Sequence, residues 1–214
     1  MLAGSRMTPN PITTTDKTPI DEALKVMRDK KVRRLPVLNH KGALVGIVAE
    51  RDILYASPSP ATSLSIHEIH YLISKLTVGE IMVKNVFTIT DDTPLEEAAR
   101  VMADNRIGAL PVMHDGKLVG IITETDIFKA FLELLGAREH GVRLTMRVPE
   151  GQGLLPLCTE TISKLGGRVL ALTTWGGDEQ GDRIVTAKVA GVDRKKLTES
   201  VADLGVECLD VRET

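Results

Sequence analysis

The chain has 214 residues, 43% hydrophobic and 26% charged, with a formal net charge of −2: an ordinary globular composition with room for two or three small domains. That charge, with only 3% aromatic residues, argues against nucleic acid or an anionic membrane surface as a partner. No apolar run approaches the roughly 20 residues of a membrane helix, and the N-terminus lacks an apolar signal core. Cys158 and Cys208 lie far from any metal-ligand spacing. The chain therefore reads as cytoplasmic, with both thiols as small buried hydrophobes.

In chain order, the first elements come twice. Met7-Thr8-Pro9-Asn10-Pro11-Ile12-Thr13 returns as Met82-Val83-Lys84-Asn85-Val86-Phe87-Thr88. Arg33-Arg34-Leu35-Pro36-Val37 returns as Gly108-Ala109-Leu110-Pro111-Val112, and Gly46 to Asp52 as Gly120 to Asp126. A duplication of this length predicts two copies of one small fold, packed so as to create paired sites.

Each copy opens on an extended segment, Pro11 to Thr14 and Val86 to Thr90. A helix start follows. Thr93 is placed to cap, Pro94 suits the first helical position and Glu96 completes a capping box; Thr18, Pro19 and Asp21 form the same device. Apolar residues at Ile20, Ala23, Leu24 and Met27, and at Leu95, Ala98, Ala99 and Met102, follow the i, i+3, i+4, i+7 rule of one buried helix face. A strand pair comes next, turning at Gly42 and Gly116. Pro36 and Pro111 lack a donor and are expected at strand starts or edges. Helices then begin at Asp52 and near Asp126. Each unit is β-α-β-β-α. Ser57-Pro58-Ser59-Pro60 breaks the chain after copy one, and a helix-like stretch from Ile66 to Leu76 leads into copy two.

Beyond Ala137 the pattern changes. Val142, Leu144, Met146 and Val148 alternate with polar residues, a strand with one buried face. A helix ending at Gly166-Gly167, a strand from Arg168 to Thr174, a loop at Trp175-Gly176-Gly177-Asp178 and a strand from Arg183 to Ala190 follow. Asp193 caps a helix bearing Leu197, Val201 and Leu204, with Val192 placed to staple onto Leu197. Gly205 stops it, and Val206 to Val211 is the last strand. The order β-α-β-β-α-β is ferredoxin-like.

The repeated anchors resemble the CBS domain, and the pair resembles a Bateman module. The C-terminal part resembles an ACT domain, and the whole resembles the bacterial acetoin-utilisation AcuB-type family. The fold class implied is α/β (α+β): CBS copies at 7–66 and 80–137, a linker helix at 67–79 between them, and an ACT-like domain at 140–214. The resemblance implies a non-catalytic regulatory protein, a homodimer acting on a target protein. It also implies an adenosine nucleotide (AMP, ADP or ATP) or another adenosyl compound as the ligand of the cleft between the copies. Acetoin utilisation or central metabolism is the implied setting. A constitutive interaction scaffold with degenerate clefts and an amino-acid sensor working through the ACT-like domain are the alternatives.

The family pattern puts phosphate on Thr123 and ribose on Asp126. Thr123 stands where strand becomes helix, and a helix N-terminus suits an anion; Thr123-x-x-Asp126 also reads as a plain cap with an acidic first turn. Phe87, Thr88 and Asn105 to Ala109 are expected to frame the base there, through the backbone of Ile107 and Gly108. Gly108 permits close approach or simply serves a turn. Thr13 and Pro111 complete the candidate set. In copy one Asp52 is kept, but Ala49 replaces the Thr and donates nothing to phosphate. Arg33, Arg34 and Arg51 supply positive charge there or are solvated surface. The two sites are thus expected to be unequal, with Asp126 the stronger.

Gly151, Gly153 and Leu154 resemble the start of an ACT ligand loop, although Gln152 stands where that loop's Pro is expected. A dimerisation role is the other reading of this domain. His67-Glu68-Ile69-His70 has i, i+3 spacing without a third ligand, and exposed helix polarity explains it. His40, His114 and His140 have no nucleophile beside them. No catalytic set and no metal site are expected.

Overall fold

The computed structural model describes residues 1–56, 75–149, 153–176 and 181–214. The chain divides into two compact units, Met1–Ile127 and Phe128–Thr214.

In the first unit, copy one comprises β2 (Thr14–Thr15), α1 (Ile20–Asp29), β3 (Arg34–Leu38), β4 (Leu44–Ala49) and α2 (Glu50–Ala56). Copy two comprises β5 (Ile89–Thr90), α4 (Leu95–Asn105), β6 (Ala109–His114), β7 (Lys117–Thr123) and α5, which starts at Glu124. The buried set repeats with the sequence. Ile20, Ala23, Met27, Leu35, Val37 and Val48 fill one core, and Leu95, Ala98, Met102, Leu110, Val112 and Ile122 take the same places in the other. Asp115 and Gly116 both have positive φ, as the two-residue hairpin between β6 and β7 requires.

The copies exchange their opening segments. Strand β1 (Thr8–Pro9) pairs with Ile121 and Gly120 of copy two, and Val83 bridges to Ile47 of copy one. Met1 O accepts the first helical N–H of α4, from Leu95, at 2.9 Å; Leu76 O accepts that of α1, from Ile20, at 3.1 Å. Gly4 and Gly79 donate to Asp91 O and Asp16 O, each at 2.8 Å. Met7 lies over Gly120 and Met82 over Gly46 so closely that a Cβ on either glycine would overlap the sulfur. The short helix α3 (Val78–Ile81), closed by a Thr77–Glu80 capping box, belongs to the segment docked on copy one. Residues 1–10 and 76–83 thus complete the fold of the opposite copy.

Two expectations are corrected. Thr93 and Thr18 do not cap their helices: their hydroxyls accept from Thr90 N–H and Thr15 N–H, closing the turn beforehand, because docked carbonyls already satisfy the helix starts. Pro36 and Pro111 lie third in the central strands β3 and β6 rather than at an edge. They are tolerated because β2 and β5 pair only with the following residues, Val37 and Leu38 or Val112 and Met113. The Ser57–Pro60 break and nearly all of the 66–76 stretch lie outside the described residues.

The second unit is a four-stranded antiparallel sheet in the order β11-β8-β10-β9, formed by β8 (Val142–Pro149), β9 (Arg168–Gly176), β10 (Asp182–Ala190) and β11 (Glu207–Glu213). This is the ferredoxin-like order. Helices α6 (Leu154–Lys164) and α7 (Arg194–Ala202) cover one face. Leu144, Met146, Cys158, Ile162, Val185, Ala187, Leu197 and Val201 pack between. Asp193 accepts from Lys196 N–H at 3.0 Å, as its capping role requires. Trp175 and Gly176 belong to β9 rather than to a loop, since Trp175 pairs with Ile184. Cys158 is buried, Cys208 half-buried, and burial raises both thiol pKa values.

Candidate functional site

The turn from β4 into α2 and the turn from β7 into α5 carry the two repeated motifs. Asp52 accepts the Ala49 N–H at 2.9 Å. Asp126 accepts the Thr123 N–H at 3.0 Å and the Thr123 hydroxyl at 2.7 Å, both on one carboxylate oxygen. Each aspartate therefore locks the strand-to-helix turn, and the Thr hydroxyl in copy two is spent on its own aspartate. The capping reading is met in both copies. In copy one a backbone bond holds one carboxylate oxygen of Asp52, and Arg51 Nε stands 3.8 Å from the other.

A cavity of about 90 Å³ opens at the copy-one turn. Its floor is Ile47 and Ala49, and Asp52, Arg34 and Arg51 carry its charges. The opposite wall comes from copy two: Val83 and Asn85 to Phe87 from the docked segment, and Ile107 to Ala109 from the entry to β6. The exchange of segments brings this wall to Asp52. Sequence reasoning assigned Phe87, Ile107, Gly108 and Ala109 to the Asp126 site; the structure groups them with Asp52 instead. Repeat spacing alone pairs each motif with its own copy and carries no sign of an exchange.

Arg34 is half-buried, Arg33 and Arg51 exposed. Burial pushes the Arg34 guanidinium below its ordinary pKa; the Glu124 carboxylate opposes this, and Arg51 and Arg33 push it further down, with Asp52 opposing. Two arginines, Arg34 and Arg51, thus line the cleft, and Arg33 is near enough to act on Arg34. Gly108 sits beneath this cluster: a Cβ there would collide with the Arg34 guanidinium and come within 2.7 Å of Glu124 Oε2. Its φ is not positive, so close approach rather than turn geometry explains the glycine.

The other candidates are dispersed. Thr13 is half-buried and Thr88 exposed, each just before a short parallel strand. Pro111 is buried, paired with Ile121. Gly153 holds a left-handed conformation at the start of α6, whose first residue is Leu154. Gly151 lies outside the described residues, as do His67 and His70. Among the described residues no group of three or more His, Cys, Asp or Glu side chains is placed to hold a metal ion, and no helix is long and apolar enough to cross a membrane.

Comparison with known proteins places this geometry. CBSX2, a chloroplastic CBS domain-containing protein of Arabidopsis thaliana, is 32% identical over 157 residues, 64% of this chain and 66% of its own length. The structure of CBSX2 in complex with AMP superposes with a TM-score of 0.52 at 33% identity, covering 61% of this chain and 96% of that one. The CBS domain pair of MJ0100, in complex with 5′-methylthioadenosine and S-adenosyl-L-methionine, matches at 0.52 and 30% identity over 65% of this chain and 98% of its own. AcuB of Vibrio cholerae, assigned to acetoin utilization, matches at 0.53 and 28% identity over 64% of this chain and 95% of its own. The CBS domain family model matches residues 3–59 and 78–133, more than half of the sequence and both exchanged units. The chain belongs to the CBS domain family.

Proposed function

We propose that this chain is a non-catalytic sensor, acting in the cytoplasm as a homodimer, that binds an adenosine nucleotide between its two CBS copies. The observation that carries the reading is the cleft in which Asp52, Arg34 and Arg51 of copy one face Ile107–Ala109 and Phe87 of copy two. An aspartate already oriented by a backbone N–H suits the two hydroxyls of a ribose. Apolar walls at Ile47, Phe87 and Ile107 suit an adenine ring. The arginines suit a phosphate, and a phosphate relieves their mutual repulsion. The AMP bound by CBSX2 and the adenosyl ligands bound by MJ0100 support the same ligand class. Within that class the cationic cluster favours AMP, ADP or ATP over the sulfonium of S-adenosylmethionine.

The cavity is smaller than the roughly 300 Å³ at which ordinary ligand pockets begin. Binding therefore requires Arg34 to swing off Gly108 and away from Glu124. That movement is the means by which a ligand biases the packing of the two copies, and it does so only by its difference in affinity between the two arrangements. The small cavity and Ala49 also favour a second reading, a scaffold whose cleft stays closed. The likeness to AcuB is what supports acetoin utilization as the setting; no residue of the cleft bears on it.

A thermal-shift screen of protein stripped of co-purified ligand separates the readings. An adenine nucleotide at 100 times its dissociation constant adds about 2.7 kcal/mol, a visible rise in melting temperature. Guanine nucleotides and amino acids give none. No rise with any adenosyl compound establishes the scaffold.

A further inference from the structure

The second unit holds a larger cavity than the cleft just described. It measures about 550 Å³ and lies on the face of the sheet turned away from α6 and α7. Its walls are Phe131 and Leu135, at and just beyond the end of α5 (Glu124–Leu134), with Ala171 and Trp175 of β9. That volume is within the range of ordinary small-molecule sites. Its surface is mostly apolar, with two cations, Arg143 and Lys188.

The two cations differ in their surroundings. Arg143 donates to Asp210 at 3.0 Å, and Arg212 closes on the same carboxylate. Lys188 is 5% exposed, and its ammonium makes no hydrogen bond or ion pair among the described residues. Lysines this buried are usually paired; here the stem is covered and the ammonium opens only into the cavity. Lys188 also stands directly across from Arg143 in the β10–β8 register, an unfavourable pairing of like charges. The left-handed Gly136 turn lies over the lysine stem, its Cβ position 3.6 Å from Lys188 Cδ, which holds that stem along the cavity wall. Thr186 beside it is hydrogen-bonded to Thr145 at 3.0 Å. The site is thus an open apolar cavity whose wall carries one ammonium, on the buried stem of Lys188, with no counterion among the described residues.

We propose that this chamber binds a monocarboxylate with an apolar body, the carboxylate paired with Lys188 and the body packed on Phe131, Leu135 and Trp175. A free α-ammonium on the ligand is disfavoured, since Arg143 and Lys188 both repel it. The site is independent of the nucleotide cleft and of the loop at Gly153.

The chain has a single tryptophan, and it lines this cavity, so its fluorescence reads occupancy. Full-length protein is titrated with octanoate, 1-octanol and octylamine, which share a tail and differ in head charge. The expected result is a saturable change with octanoate, about tenfold or more tighter than with 1-octanol, and weakest binding of octylamine. Lys188→Met, which keeps the stem and removes the charge, brings octanoate to the level of the alcohol. Should that variant fail to fold, the head-group series on the native sequence decides alone. Equal affinity for octanoate and octanol, or no response to any of the three, overturns the proposal. A tryptophan signal that follows protein concentration alone gives the face to a second copy and overturns it as well.

Discussion

The two strand-to-helix turns share an ancestor in sequence and differ in what their aspartates are free to do. In copy two the Asp126 oxygen that takes the Thr123 N–H also takes the Thr123 hydroxyl at 2.7 Å. In copy one Ala49 offers only its N–H, and Asp52 lines a cavity with two arginines. A threonine at this position makes a better helix start, and its loss leaves the carboxylate less committed. Arg34 and Arg51 bring positive charge to the copy-one turn instead. A motif that departs from its repeat can thus mark a site of altered chemistry rather than a lost one.

The largest effect that can break this contrast is on ligand charge. Arg34→Ala with Arg51→Ala lowers AMP affinity by about tenfold per arginine and leaves adenosine binding nearly unchanged, since charge-assisted bonds are worth about 1.5–3 kcal/mol each. Calorimetric titration with both ligands checks it. An equal loss for AMP and adenosine would remove the phosphate from the arginines.

The exchange of segments gives the next largest. Gly79→Val presses a side chain onto the Asp16 carbonyl, 2.8 Å from the Cβ position, and Gly4→Val onto that of Asp91, 2.9 Å away. Each is expected to destabilise by about 1–3 kcal/mol in urea unfolding. Gly79→Val opens the copy-one cleft and weakens nucleotide binding as well, whereas Gly4→Val affects stability with little change in binding.

Smaller changes sharpen the comparison of the turns themselves. Asp126→Ala removes both bonds to Thr123 and costs about 1 kcal/mol. Ala49→Thr copies the second turn into the first. It is expected to add about 0.5–1 kcal/mol of stability while weakening AMP binding, because the new hydroxyl competes for Asp52.

The smallest is a pH effect near the copy-two hairpin. The hydrogen bond to Asp91, at 2.9 Å, raises the His114 pKa, and the same bond lowers that of Asp91. The histidine's share of stability is fully present below its unfolded pKa and lost as pH rises through the raised folded value. The aspartate's share is present above its unfolded pKa and lost as pH falls through the depressed folded one. Nuclear magnetic resonance titration of His114 is expected to give a midpoint above the ordinary histidine value. Asp91→Asn lowers it toward that value, with Asp115 and Asp92 still favouring the imidazolium.

Much of the fold was legible because periodicity and turn chemistry are local. The face of α1 at Ile20, Ala23 and Met27, the Asp115-Gly116 hairpin and the Asp193 cap all depend on neighbours within a few residues. The exchange of opening segments was not legible. It depends on Met7 fitting Gly120 and Met82 fitting Gly46, and a constant repeat spacing is equally compatible with each copy closing on itself. For the same reason the sequence offered no sign that Phe87 and Ile107 to Ala109 line a cavity with Asp52. The burial of Lys188 has no local signal, since it comes from the Gly136 turn packed along its stem.

The most direct test of the central claim is calorimetric titration of AMP into the native protein, Asp52→Ala and Asp126→Ala. The account predicts that Asp52→Ala lowers affinity by about tenfold to a hundredfold through loss of the ribose hydroxyl bonds, and that Asp126→Ala changes it much less. Undiminished binding in Asp52→Ala, with the loss in Asp126→Ala instead, would contradict the assignment of the ligand to the copy-one cleft.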